Sequence, residues 1–173
     1  MANNDLLIKL HDPQWFDPTS TSLNETGIRL RKPIGPDRTL LLDWAEHHFP
    51  TLWIDEIQRA LSNQPVSCWL AQRTDNLLGF ACYDATALGF FGPLGVIDSA
   101  QGQGIGSALT RACLHEMHLK GYRYAIVGRT HSDGFYRRIA PTITIADSDP
   151  GCYADTLQLK RARSGEPQTD GTD

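Results

Sequence analysis

The segment Val96-Ile97-Asp98-Ser99-Ala100-Gln101-Gly102-Gln103-Gly104-Ile105-Gly106-Ser107-Ala108-Leu109 sets three alternating glycines at the mouth of a run with helical spacing. Glycine amides can turn inward together there with no Cβ in the way, making a concave nest for an anion. A helix N-terminus adds unpaired N–H donors and about half a positive charge. Such a turn can hold a phosphate or pyrophosphate by main-chain dipoles, and no Lys or Arg occurs between Val96 and Leu109. The plainer alternative is a turn whose glycines only set backbone geometry. Two familiar phosphate motifs fail. A P-loop needs Gly-Lys followed by Ser or Thr, and the first Lys after the turn is Lys120. A dinucleotide fingerprint ends in Gly or Ala, whereas counting from Gly102 or Gly104 puts Ser107 or Leu109 in that place. The acidic residue it wants about 20 positions on is also missing, since Met117 to Ser132 holds neither Asp nor Glu.

Other reactive side chains read more simply. His115 and His118 are three apart on a helix, but HExH is not HExxH and no third ligand is evident, so no metal is expected. Cys68, Cys82, Cys113 and Cys152 form no CxxC and read as reduced core thiols.

These residues must be positioned by surrounding elements. A strand-like run at Leu6 to Leu10 opens a polar N-terminal arm, residues 1–27, expected to wrap the domain or add to its edge. Ile28–Arg31 alternates like a half-buried strand. Asp37 and Thr51 could cap two helices ended by Pro50 and by Asn63 to Pro65, with Leu40, Leu41, Trp44, Ala45 and His48 at a spacing of three and four in the first and Leu52, Ile54, Ile57 and Leu61 inward in the second. The period then changes to two for strands Val66–Arg73 and Leu77–Asp84. Leu88–Ile97 is an apolar run that reads as a central strand. Pro93 is poorly tolerated inside a regular ladder, so the run predicts a bulged or split strand. Gly104–Lys120 is an amphipathic helix with Ile105, Ala108, Leu109, Ala112, Cys113 and Met117 on one stripe. Tyr122–Gly128 is a buried strand, Asp133–Ile139 a short helix, and Thr142–Ala146 and Tyr153–Lys160 are closing strands. Residues 161–173 have nothing to bury and read as a disordered tail. A strand–helix–strand unit inside a hairpin-connected sheet predicts a mixed α/β (α+β) layer structure spanning residues 28–160.

Composition narrows the partners. With 16 Lys and Arg against 20 Asp and Glu, the net charge is −4, which argues against a dedicated nucleic-acid binder. No uncharged stretch exceeds 13 residues, as at Ala85 to Ile97, so no membrane span is expected. Asp5 before the first apolar patch, with no basic run ahead of it, is unlike a signal peptide, and a cytoplasmic protein is the expectation.

Gln101-x-x-Gly104-x-Gly106 after an apolar bulged strand resembles the acetyl-CoA pyrophosphate motif, Arg/Gln-x-x-Gly-x-Gly/Ala, of the GCN5-related N-acetyltransferase (GNAT) family. Gly134-Phe135-Tyr136-Arg137-Arg138 is similar to the family's Phe-Tyr-x-x sequence on the short helix that follows. The likeness covers Ile28 to about Lys160 and is sharpest over Phe91–Gly128. One departure stands out: Ala140 and Pro141 occupy places where the family usually has Gly and an aromatic residue.

The resemblance implies a central sheet with a splayed strand pair and helices on both faces. It implies that Leu94, Gly95 and Val96 offer backbone groups to the pantetheine arm of acetyl-CoA. The amides of Gln101, Gly102, Gln103, Gly104, Ile105, Gly106 and Ser107 would hold the pyrophosphate. The implied reaction is direct attack of a deprotonated primary amine on the thioester, with Tyr136 protonating the departing thiolate; its plainer reading is a packed aromatic. His131 is the candidate base, with a loop or cap role the plainer reading, and Asp84 and Asp98 are rivals. Asp43 and Glu46 could attract a cationic amine or simply form a solvated helix face. A small-molecule amine is the expected acceptor. A non-catalytic acyl-CoA sensor and a protein lysine or N-terminal acetyltransferase are the alternatives, and a homodimer is left open.

Overall fold

The computed structural model describes residues 4–12, 23, 26–130, 132–154 and 156–157. The elements in chain order are β1 (Leu6–Lys9), β2 (Ile28–Arg31), α1 (Asp37–His48), α2 (Thr51–Ser62), β3 (Cys68–Arg73), β4 (Asn76–Tyr83), β5 (Phe91–Val96), α3 (Ile105–Leu119), β6 (Tyr124–Val127), α4 (Asp133–Ile139) and β7 (Thr142–Thr144). β2, β3, β4 and β5 form one antiparallel sheet in that spatial order. β1 lies between β6 and β7 in a second sheet and is antiparallel to both. The two sheets touch through one parallel bridge, Phe90 to Ile126, closed by the Ile126 N–H donating to the Gly89 carbonyl at 2.9 Å. Beyond it β5 and β6 part. This is the mixed α/β architecture that the element order predicts, with the splayed strand pair that the resemblance implies.

Two cores sandwich the sheets. One packs α3 and α4 against β1 and the inner faces of β4, β5 and β6, with Leu6, Ile8, Ile105, Leu109, Cys113 and Met117 buried. The other lies under α1 and α2, around Leu41, Ala45, Ile57, Ala60, Leu70 and Phe80. Cys68 and Cys82 face each other across β3 and β4 in this second core. Burial pushes the Cys82 and Cys113 thiols well up, which suits inert core residues. Among the described residues, no helix is long and apolar enough to cross a membrane.

β5 carries the irregularity that Pro93 demands. Phe91 opposes Tyr83 and Leu94 opposes Ala81, so three steps on β5 meet two on β4. One extra residue at Gly92-Pro93 is a β-bulge, and it exchanges the faces of the strand. Phe91, Leu94 and Val96 therefore all pack toward α3, while Gly95 turns toward α1 and α2.

Several expectations are corrected. The first strand is the middle of its sheet rather than an edge addition, because Leu6, Ile8 and Leu10 are nearly inaccessible and need neighbours on both sides. Leu88–Ile97 shortens to Phe91–Val96 and is the edge of its own sheet, since its partner β6 meets it at one point only. Leu40 and Leu52 face solvent, and Ala60 takes an inward place that the leucine spacing does not mark. Cys152 is exposed, unlike the other three cysteines. Gly151–Tyr153 is one tight 3-10 turn after Pro150 and not the start of a strand. Residues 158–173, including the rest of that expected strand and the expected disordered tail, lie outside the described residues, as do most of residues 13–25.

Candidate functional site

β5 leads into a 3-10 turn at Asp98–Ala100, and the chain then enters α3 through the glycine-rich segment. Gly102 and Gly104 adopt φ of 76° and 79°, a region where an L side chain is strained, and nothing lies within 4 Å of where a Cβ would stand on either. Gly104 is the N-cap of α3 and no side chain caps the helix. The first helical bond runs from the Ala108 N–H to the Gly104 carbonyl at 3.0 Å. The amides of Ile105, Gly106 and Ser107 thus have no acceptor inside the helix and face its open end. Ile105 is 1% exposed and pins that end to the core. Gly106 differs from its neighbours. A Cβ on it would make an ordinary 3.5 Å contact with the Phe135 ring, so neither conformation nor space demands glycine there.

Side chains brace the turn. Gln101 Nε2 donates to the Val96 carbonyl (3.3 Å) and to Asp98 Oδ1 (3.0 Å), tying the turn to the end of β5 and occupying Asp98. Arg73 of β3 donates from Nη2 to Gln103 Oε1 at 2.8 Å. A guanidinium therefore stands beside a turn whose own residues carry no base. Its partner is 30 positions away in the chain, so no local motif could have marked it.

The edge of β5 that faces β6 is open past the bridge. The Ile97 N–H donates to the Leu78 carbonyl at 3.0 Å, and an antiparallel ladder alternates the direction of its backbone groups. Val96 and Leu94 accordingly turn their N–H and C=O groups away from β4, and the Val96 carbonyl is the one that meets Gln101. Gly95 serves a different purpose. Its missing Cβ leaves room for aromatic rings: a methyl there would stand 2.8 Å from Phe49 at the end of α1 and from Phe80 of β4. Phe49 stacks on Trp53 and meets Phe80 edge-on, so neither ring can retreat. We expect Gly95→Ala to lower unfolding stability by about 1–3 kcal/mol, the usual range for overpacking, read as a drop in thermal midpoint.

α4 joins the two motifs. Phe135 backs Gly106, and Tyr136 stands edge-on to Phe135 (5.0 Å) and to Phe91 of β5 (6.0 Å). The Tyr136 side chain is 8% exposed, and burial pushes its phenol up to about 12. The helix ends at Ile139, with the Ala140 N–H still donating to the Tyr136 carbonyl, so Ala140 and Pro141 end the helix without glycine.

The candidate bases fare differently. His131 lies outside the described residues. Asp84 is committed: one oxygen accepts the Gly89 N–H (2.7 Å) and the other the Tyr122 hydroxyl (2.9 Å), fixing the loop before β5. Asp43 and Glu46 are exposed on α1.

A carboxylate not marked by the sequence is linked through Thr86 and Tyr153 to the residues beside the parting of the strands. Glu56 of α2 is half-buried, and its Oε1 accepts the Thr86 hydroxyl at 2.5 Å. The Thr86 oxygen is 3.4 Å from the Tyr153 hydroxyl. The Tyr153 ring in turn leans on Gly128, where a Cβ would stand 3.1 Å from it and 3.4 Å from Phe90. Burial raises the Glu56 carboxyl above the ordinary range, while its hydrogen bonds to Thr86 and Tyr153 pull the other way. Its partners lie on the loop before β5 and after β7, which explains why spacing along α2 gave no signal. Among the described residues, no three His, Cys, Asp or Glu side chains gather as a metal ion requires.

The family model described as "Acetyltransferase (GNAT) family" matches residues 37–140, from the start of α1 to the end of α4. The GCN5-related N-acetyltransferase from Sphaerobacter thermophilus is 22% identical at a TM-score of 0.59, over 82% of this chain and 48% of that one. The GCN5-related N-acetyltransferase from Kribbella flavida is 16% identical at 0.54, over 83% and 55%. The GCN5-related glucosamine N-acetyltransferase region of a fungal multi-domain GH3 β-N-acetylglucosaminidase is 15% identical at 0.67, over 82% and 19%. At these identities the likeness is one of fold, and the chain spans about half or less of the length of these structures. No curated protein matched the sequence.

Proposed function

Since the chain belongs to the acetyltransferase (GNAT) family, we propose that it transfers the acetyl group of acetyl-CoA to the primary amine of a small molecule. The observation that carries this reading is the succession of two open features along the chain: the outward backbone of Leu94 and Val96 on β5, and the uncapped α3 entry where the lack of side chains on Gly102 and Gly104 keeps the space beside the amides open. These fit a long thioester arm joined to a pyrophosphate. The amides from Gln101 to Ser107 would hold the phosphates by their dipoles, with Arg73 adding charge from one side. Gly95 contributes backbone and the packing that keeps β5 in place.

Acetyl-CoA supplies an activated acyl group. The chain's own residues supply the rest. An outward N–H at the open edge of β5 can polarise the carbonyl oxygen as charge develops on it. The buried Tyr136 phenol keeps its proton through neutral pH and can give it to sulfur. The small-amine reading is favoured over a protein acceptor by the segment that walls the far side. The Ile145 N–H donates to the Asp5 carbonyl (2.9 Å), and the Asp5 N–H donates to the Ser148 hydroxyl (2.7 Å). Gly151 stands against the Asp5 carboxylate, so the wall carrying Tyr153 is fastened to β1.

Calorimetry with acetyl-CoA, followed by thiol release with a panel of small amines and lysine peptides, tests the reading. We expect acetyl-CoA to bind and a small amine to be consumed faster than any peptide. Failure to bind acetyl-CoA removes the proposal. Binding with no transfer to any amine leaves the sensor alternative, and preference for the peptides transfers the reading to a protein acceptor.

A further inference from the structure

We propose that Glu56, positioned by Thr86 and Tyr153, is the catalytic base and the ammonium-binding group of the acceptor site; this rests on the acetyl-transfer reading above. Phe90 and Phe91 are consecutive, so their side chains stand on opposite sides of the strand. Phe91 points to Tyr136 on the side of α3 and α4. Phe90 points to Gly128 and Tyr153 on the other side, where α2 brings Glu56. The phenol of Tyr136 and the carboxylate of Glu56 therefore flank the same parting of β5 and β6 from opposite faces. The amine adds to one face of the planar thioester and sulfur leaves from the tetrahedral intermediate, so a base and an acid on separate sides of the gap can each serve one of the two steps.

The cluster is suited to an amine. A carboxylate that is partly withdrawn from water gains from a bound ammonium and gives it a partner. The two carboxylate oxygens offer about four lone-pair sites, enough for the Thr86 and Tyr153 hydroxyls and an incoming N–H together. The remaining titratable groups that act on Glu56, or that it acts on, are Asp55 on the same helix, the Tyr153 phenol, and the Cys82 and Cys152 thiols. None of these is cationic; the cation beside the cluster is Arg129, whose guanidinium lies over the Tyr153 ring, 5.9 Å from its centre. Tyr153 also lies beyond the residues matched by the family model, so this wall of the site is supplied by the chain's own C-terminal segment.

The bound ammonium gives one proton to Glu56 and becomes an amine with a free lone pair. That pair forms the C–N bond as the C–S bond breaks, and Tyr136 protonates the sulfur. The second proton on nitrogen restores the phenol as the amide forms. Glu56 then releases its proton to water, so one proton leaves per acetyl group transferred.

The test uses the full chain carrying 13C at the side-chain carboxyls of its five glutamates. The Glu56 signal is assigned by its loss in Glu56→Gln, which keeps the shape of the side chain. The probes are glucosamine, spermidine and Nα-acetyl-lysine. We expect at least one amine to lower the titration midpoint of Glu56, because a bound cation favours the carboxylate. With that amine, Glu56→Gln should lose at least about tenfold in kcat/KM at neutral pH. The loss should shrink toward high pH, where the amine is already free, and acetyl-CoA affinity should hold. Thr86→Val should move the acidic limb of the rate profile to higher pH by removing a hydrogen bond to the charged form, and Thr86→Ser should restore it. A midpoint that no amine moves overturns the subsite. So does a Glu56→Gln enzyme with the wild-type rate and acidic limb. A midpoint that does move, in a protein releasing no thiol from acetyl-CoA, instead overturns the transfer reading and leaves the ammonium site standing.

Discussion

Tyr136→Phe is expected to cut acetyl transfer by about 10²-fold or more, the usual contribution of a positioned proton donor, while acetyl-CoA binds as before. The substitution removes one oxygen and keeps the ring. The edge-on contacts with Phe91 and Phe135 therefore survive, and the thermal midpoint should stay close to that of the wild type. The pH dependence carries the sign of the role. Burial pushes the phenol up to about 12, so the acid form is present across the neutral range and is lost only as pH approaches that value. The wild-type rate should consequently show no alkaline limb from this group below about pH 10, the ordinary phenol value. Turnover of Tyr136→Phe equal to wild type at several pH values would remove the phenol from the reaction and leave it a packing residue. The split between unchanged binding and lost turnover, measured by calorimetry and thiol release on the same preparation, is what separates the two.

Gly104→Val is expected to weaken acetyl-CoA binding by about 10²-fold. A left-handed backbone costs an L residue roughly 1–2 kcal/mol, and each 1.4 kcal/mol is a factor of ten in affinity. Displacing an amide that donates to a charged phosphate adds about 1.5–3 kcal/mol. Two further substitutions separate strain from occupancy. Asn tolerates positive φ, so Gly104→Asn should restore most of the folding stability yet still bind weakly, because its side chain fills the open space at residue 104. Gly106→Ala should bind nearly as well as wild type, since the added methyl meets only the Phe135 ring at an ordinary distance. Equal dissociation constants for wild type and Gly104→Val would sink the main-chain phosphate site. The sequence treats the three alternating glycines alike; the structure ranks them.

That ranking shows how far the residues alone reach. Local patterns are set by short-range geometry, and those were legible. The stripe Ile105, Ala108, Leu109, Cys113, Met117 gave α3, and Gly104 gave its entry. Pro93 in an apolar run gave a bulge, because a residue without an N–H cannot sit in a regular ladder. Asp133–Ile139 gave the short helix carrying Phe135 and Tyr136. Two motifs at a readable separation were enough to point to the family. Other features were misjudged because composition near a residue says little about its neighbours in space. Leu6 to Leu10 is too short to reveal that it completes a sheet between β6 and β7, two strands more than 110 residues away. Asp84 ends a strand in the way a candidate base can, yet both of its oxygens are taken by Gly89 and Tyr122.

The sequence by itself determined the glycine-rich turn of the proposed donor side, because such a turn is built from consecutive residues whose backbone torsions depend on little beyond the absence of a Cβ. Only the tertiary structure brought together the residues of the proposed acceptor side. Glu56, Thr86 and Tyr153 come from a helix, a loop and a turn that meet only when the two sheets close on Phe90 and Ile126. Arg73 reaches Gln103 in the same way, across strands and not along the chain. A carboxylate on α2 becomes a candidate base only once burial has raised its proton affinity and a hydroxyl has fixed its orientation, and both are properties of packing.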